Sequence, residues 1–233
     1  MKSQSNILVA EDDADINELL CNIFTREGHK VRATYSGTEA KMCIEQYDYD
    51  ILLLDLMLPG ISGENLISEI RKIKVLPIIV ISAKTAQEDK INVLRLGADD
   101  FIGKPFDINE VIARVDSQLR RYKEFSVIKS PNNKLKYKNI ILDTEAREVL
   151  VNGQSLTLTM IEFEILELLM TNPKKVFTRA NLFETVWKDE FLGDDNIINV
   201  HVSNLRTKLS AIDSETKYIQ TVWGIGFKLQ EQS

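Results

Sequence analysis

The chain has 233 residues, 44% hydrophobic and 27% charged, which fits a soluble globular protein of one large or two ordinary domains. Its net charge is -6, with 15 Lys+Arg against 20 Asp+Glu up to Arg121 and 14 against 15 beyond it, so neither half grips nucleic acid by bulk charge. No apolar run approaches the roughly 20 residues that span a bilayer, and polar residues 1–5 lead straight into a strand, so neither a membrane span nor a secretory signal is expected. Cys21 and Cys43 both fall on predicted helices, which argues against a disulfide framework and for a reduced, cytoplasmic setting. His29 and His201 stand far apart and form no metal-ligand pattern.

The first apolar run, Ile7-Leu8-Val9-Ala10, ends in Glu11-Asp12-Asp13. Ile16, Leu19, Leu20, Ile23 and Phe24 follow at helical spacing. Residues 31–34 predict a second strand and 36–45 a helix. Ile51-Leu52-Leu53-Leu54 is apolar without alternation, as in a parallel strand covered on both faces, and it runs into Asp55 before a Pro59-Gly60 turn. Ser62 is placed to cap a helix over 63–73. A fourth apolar strand, 77–81, ends in Ser82-Ala83. Residues 86–96 predict a helix that Gly97 ends. Phe101-Ile102 lies on a short fifth strand before Gly103-Lys104-Pro105, and Asp107 caps a last helix to about Tyr122.

Five strands alternating with five helices indicate an α/β doubly wound parallel five-stranded sheet, flavodoxin-like. In the order 2-1-3-4-5, strands one and three are neighbours, which brings Glu11 and Asp12 close to Asp55. Crowded carboxylates repel, so a cation or raised pKa values must relieve them, and oxygen ligands of this kind suit Mg²⁺. Ser82 and Lys104 end strands four and five on the same edge, where a hydroxyl and an ammonium can hold phosphoryl oxygens on a nucleophilic Asp55. Singly, each residue reads as well as a cap or a surface group. Jointly, residues 6–122 resemble the receiver domain of a two-component response regulator. The resemblance implies that Asp55 accepts a phosphoryl group from a histidine kinase, with Lys104 and Ser82 assisting. It also implies Mg²⁺ on Glu11, Asp12, Asp55 and the Met57 carbonyl, and slow self-hydrolysis but no enzyme activity beyond that. Phe101 stands where many relatives carry Tyr, so a Ser82–Phe101 switch would work by ring packing. Gly103 replaces a common hydroxyl residue.

Lys90, Asp99, Asp100, Glu110, Arg114 and Arg121 alternate in sign over the last two helices and the strand between them. From charge alone this is a solvated face. Resemblance to the OmpR/PhoB class instead implies a two-fold dimer through it, with intersubunit pairs Lys90–Glu110, Asp100–Arg114 and Asp99–Arg121.

Residues 123–133, with Ser130-Pro131-Asn132-Asn133, read as a linker between a receiver at 1–122 and a second domain at 134–233. Short strands are predicted at 135–137, 140–142, 148–151 and 155–158, with an Asn152-Gly153 hairpin turn. Thr159 and Glu162 form a capping-box pattern, and the helix they open ends at Asn172-Pro173. Thr178 caps a short helix through Trp187. An acidic loop is expected at 189–196 and a third helix at 196–210, with Ile198, Val202, Leu205 and Leu209 as its apolar stripe. Residues 218–229 close the chain as a β-hairpin. This is an α+β winged helix-turn-helix, and residues 134–231 resemble the DNA-binding domain of the OmpR/PhoB class. The motifs that carry the match include Val176-Phe177-Thr178-Arg179, Leu205-Arg206 with Lys208-Leu209, and Gly224-Ile225-Gly226-Phe227-Lys228-Leu229.

Candidate DNA contacts are Asn199, Val200, His201, Ser203, Asn204, Arg206, Thr207 and Lys208 on the third helix and Thr221 and Trp223 on the wing. His201 reads as a phosphate or core-flank contact. Trp223 reads as packed on the hairpin, with a wedge or stack at the minor groove as the alternative. Few cations predict modest non-specific affinity and a shallow salt slope. The reading is a transcriptional response regulator whose phosphorylation on Asp55 favours a homodimer on tandem half-sites of promoter DNA. RNA polymerase is a further partner that this reading allows. The alternatives are a phosphate-independent DNA-binding dimer and a phosphotransfer or protein-interaction module.

Overall fold

The computed structural model describes residues 4–124, 134–187 and 195–231. The chain divides into two compact units, Met1–Tyr122 and Lys123–Ser233. The first unit alternates β1 (Asn6–Ala10), α1 (Ala14–Arg26), β2 (Lys30–Thr34), α2 (Gly37–Gln46), β3 (Ile51–Leu54), α3 (Gly63–Ile70), β4 (Ile78–Ser82), α4 (Gln87–Leu96), β5 (Asp100–Gly103) and α5 (Ile108–Glu124). The sheet is parallel in the order β2-β1-β3-β4-β5. Every residue of β3 and β4 is buried, whereas the edge strand β2 alternates, which is how apolar runs sort to the centre of a sheet covered on both faces. Ile7, Val9, Leu53 and Ile81 pack with Leu20 and Phe24 of α1 and with Val111 and Val115 of α5. Each such side chain stabilises the fold by about 1.5–3 kcal/mol.

Caps set the helix starts. Asp13 accepts from the amides of Asp15 and Ile16, and Ser36 and Ser62 accept from Glu39 and Asn65. The helix predicted over 63–73 stops at Ile70, because Lys72 and Ile73 bond back only three residues, to Glu69 and Ile70. Its cap, Arg71, reaches the carbonyls of Leu76 and Gly97 and the Asp99 carboxylate.

The second unit opens with an antiparallel sheet of β6 (Lys134–Tyr137), β7 (Ile140–Asp143), β8 (Glu148–Val151) and β9 (Gln154–Ser155). Asn152 and Gly153 turn between β8 and β9 with φ of 51° and 77°, as the sequence predicts. The strand predicted over 155–158 breaks early. Leu156 still donates to the Val149 carbonyl, and then Thr159 caps α6 (Met160–Thr171) in a complete capping box. β10 (Phe177–Thr178), α7 (Arg179–Trp187), α8 (Asp195–Ile212), β11 (Ile219–Val222) and β12 (Gly226–Leu229) follow. β10 pairs with β12, which pairs with β11. Ile198, Val202, Leu205 and Leu209 are buried, as the stripe on α8 requires. Most of the predicted linker, residues 125–133, and residues 189–194 of the predicted acidic loop lie outside the described residues, and the last two residues of that loop open α8. Among the described residues no helix is long and apolar enough to cross a membrane.

Candidate functional site

The register of the sheet builds the first site. Ala10 pairs with Leu54, so the next residues, Glu11 and Asp55, leave neighbouring strands at one level. Asp55 also donates its amide to the Ala10 carbonyl at 2.8 Å. Ser82 pairs with Gly103, and Lys104 donates its amide to Ser82, so the lysine rises from the same edge. Its Nζ lies 2.6 Å from Asp55 Oδ2 and 2.8 and 2.7 Å from the two oxygens of Glu11. Glu11, Asp12 and Asp55 each offer a carboxylate oxygen within 4.8 Å of the others, with Asp12 exposed and the other two buried.

Burial, reinforced by the Asp55 charge, pushes Glu11 up to about 7 despite its bond to Lys104. Burial also raises Asp55, but the Lys104 and Ser82 hydrogen bonds and the Met57 amide outweigh it, so this carboxyl stays below its ordinary range. Burial lowers Lys104, and its bonds to Asp55 and Glu11 more than offset that. Asp55 is therefore held ionised at neutral pH, as a nucleophile must be. Asn17, fully buried, donates to the carbonyls of Glu11 and Thr34 and fixes the acidic turn. Its signal was visible as a polar residue three before Leu20 on the inward stripe of α1.

In the second unit α6, α7 and α8 pack together, and Arg206 ties α8 to the closing hairpin. Its guanidinium donates to the Ile219 carbonyl and the Thr221 hydroxyl and lies over the Phe227 ring. Gly226 allows the hairpin to close on β10, since a Cβ there would lie 1.9 Å from the Phe177 carbonyl oxygen. Three packed helices with a hairpin beside the third form a winged helix.

Residues 7–116 match the response regulator receiver domain, and 153–229 match the family described as transcriptional regulatory protein, C terminal. The chain belongs to the response regulators. YcbL of Bacillus subtilis, an uncharacterized transcriptional regulatory protein, is 40% identical over 96% of this chain and 100% of its own. The regulatory protein VanR of Enterococcus faecium is 39% identical over 97% and 98%. A solved RitR mutant is 29% identical, with a TM-score of 0.80 over 98% of this chain and 100% of that one. The response regulator of this chain is a DNA-binding transcriptional regulator of a two-component system, of the OmpR/PhoB class. A receiver joined to such a domain takes its signal from a histidine kinase and delivers it to DNA.

The structure corrects several residue expectations for this regulator. Asp99, Asp100 and Arg121 are buried, so the six charges do not form a solvated face. Asp100 pairs with Arg114 at 2.9 Å within the chain, Arg114 also holds Glu110, and Asp99 pairs with Arg71 at 2.7 Å. Arg71 was missed because nothing in sequence ties it to a residue 28 positions on. Lys90 sits over the Phe101 ring, whose side chain is buried.

On α8, Val200 and His201 are buried rather than presented. The His201 ring lies 5.5 Å from that of Trp187, which supports the core-flank reading. Asn199 accepts from Arg179, and Lys208 donates to Glu162 at 2.6 Å. Ser203 and Thr207 are exposed, and Asn204 is half-buried. Trp223 does not pack on the hairpin: it is 90% exposed.

Proposed function

We propose that Asp55 is the phosphoacceptor of this regulator. Its carboxylate oxygen attacks the phosphorus of a phosphohistidine on the partner kinase. The P–N bond breaks, its electron pair stays on the imidazole, and an acyl phosphate forms on Asp55. The 2.6 Å contact from Lys104 carries this reading, because it keeps Asp55 charged and sets an ammonium beside the phosphoryl oxygens to come. The Met57 amide donates a second hydrogen bond to the same carboxylate at 3.2 Å, and the Ser82 hydroxyl helps hold its pKa down.

Mg²⁺ fits the residues present. With Glu11 deprotonated, three clustered carboxylates against one ammonium leave an excess of two negative charges, which one divalent cation matches. Glu11, Asp12, Asp55 and the Met57 carbonyl would hold it, all of them oxygen donors. When bound, the ion supplies charge neutralisation for the transferring phosphoryl group. No further catalysis is expected beyond slow self-dephosphorylation.

Phosphorylation would then act through Ser82 and Phe101 to favour a homodimer across α4, β5 and α5. Lys90 and Glu110 keep part of their surface, so their pair is open to a second copy, although Arg114 also holds Glu110 within the chain. A two-fold dimer pairs two α8 helices on tandem half-sites of promoter DNA. RNA polymerase is a further partner in this reading, and the cytoplasm is where kinase, chain and DNA would meet.

The test is the intact mass and sedimentation of wild type and Asp55→Ala after incubation with Mg²⁺ and a small phosphodonor. Wild type alone should gain one phosphate and become a dimer. A wild type that gains none, or an Asp55→Ala chain that gains one, removes Asp55 from the role.

A further inference from the structure

The surface that this regulator turns to DNA is short of available cations. On α8 and the closing hairpin the Lys and Arg residues are Arg206, Lys208 and Lys228. Each donates to an oxygen of its own chain: Arg206 to Ile219 and Thr221, Lys208 to Glu162, and Lys228 to Glu231. Phosphate neutralisation, the usual main source of affinity, is correspondingly limited.

The same surface carries an apolar projection. Trp223 stands 90% exposed at the hairpin tip, beside Ile225 at 50%. A bare indole in water is costly, and an exposed large aromatic on an otherwise polar wing calls for a partner. The projection is also preorganised. Ile225 donates its amide to Val222 across the turn at 3.0 Å, Gly224 takes φ of 73°, and Gly226 is pressed on β10. Arg206 ties β11 to α8, so a helix seated in the major groove carries the tip with it towards the same duplex.

We propose that Trp223 is an apolar wedge that enters the minor groove and partly unstacks one base step. Stacking then supplies affinity that engaged cations withhold. It also adds specificity for steps that open easily, the pyrimidine–purine steps, at a position that no hydrogen bond reads. The continuity of Trp223 with α8, the helix of the DNA-binding domain, favours DNA over a second copy of the chain as its occupant.

The test uses the full chain and a duplex that wild type selects from a random 20-base-pair library. Trp223→Ala should weaken binding by about ten- to hundredfold, the range of one aromatic–base stack. It should leave the slope of affinity against salt unchanged and reduce the bend of the duplex. Trp223→Phe should keep most of both. Trp223→Arg should restore affinity only with a salt slope steeper by about 0.9. In wild type, DNA should shield Trp223 from acrylamide, while Trp187, 2% exposed and stacked on Phe183, serves as the unchanging internal reference. Equal affinity for wild type and Trp223→Ala overturns the proposal, as does a Trp223 that stays quenchable in the complex. A variant that loses self-association but keeps its DNA affinity assigns the indole to a second copy instead, and the proposal falls.

Discussion

Lys104 Nζ lies 2.6 Å from Asp55 Oδ2, so an ammonium at the end of β5 neutralises a carboxylate at the end of β3 across the strand between them. The same ammonium bonds both oxygens of Glu11 at the end of β1. One cation thus joins three strand ends, and Lys104→Ala would leave two buried carboxylates facing each other. The variant should lose about 3 kcal/mol in chelator, the low end for breaking a buried pair. Millimolar Mg²⁺ should return most of that loss. Urea unfolding in the two buffers checks it, and an equal loss in both would mean that the carboxylates take no cation.

The Asp100–Arg114 pair is the second buried charge contact, at 2.9 Å, with Arg114 held far above even its ordinary range, first by the Asp100 charge. Arg114→Ala should cost about 3 kcal/mol, because it strands Asp100. Asp100→Ala with Arg114→Ala should cost less than the sum of the single changes by about 2 kcal/mol. Denaturant midpoints for the four chains measure that coupling. Additive losses would show that the two groups meet a second copy or solvent rather than each other.

Gly226→Ala sets a methyl group against the Phe177 carbonyl oxygen, 1.9 Å from an ideal Cβ. The strand cannot yield without breaking the β10–β12 pairing. A loss of about 3 kcal/mol or more is expected, confined to the second unit. Amide exchange should open β10, β11 and β12 while the core of the first unit stays protected.

The Asp213 carboxylate accepts from the Tyr218 hydroxyl at 2.6 Å and the Asn139 amide at 3.0 Å, bonds that hold its pKa well below the usual carboxylate range. A folded pKa below the unfolded one gives stability that is present above roughly pH 4 and lost as pH falls further. Burial, with Asp213 beside it, pushes Tyr218 up to about 12. That contribution is present below roughly pH 10 and lost as pH rises through 12. The second unit should therefore show a stability plateau between these limits. Asp213→Asn should flatten the acid limb and also soften the alkaline one. Thermal melts from roughly pH 3 to roughly pH 11 check both.

Much of this is legible in the sequence. The uninterrupted apolar runs 51–54 and 77–81 could only be central strands, and each ended in the residue that the site uses, Asp55 and Ser82. Thr159 and Glu162 announced the start of α6. What the sequence hid was contact at long range. The charges Asp99 and Asp100 look like solvated groups because pattern reports the type of residue, and only packing brings Arg71 and Arg114 to them. Val200 looks presented because the apolar stripe on α8 is narrow, whereas a helix wedged between α7 and a hairpin buries more than one face. β10 is two residues long, too short to carry a period. Trp223 failed for the opposite reason: an indole predicts burial by type, and the turn at Gly224 carries it outward.

The central proposal is that the phosphoryl state of Asp55 sets DNA affinity. The most direct measurement is the equilibrium affinity of the full chain for its selected duplex at fixed salt, before and after phosphorylation, for wild type and Asp55→Ala. The account predicts at least about a tenfold gain for wild type and none for Asp55→Ala. Equal affinity of phosphorylated and unphosphorylated wild type, or the same gain in Asp55→Ala, would contradict it.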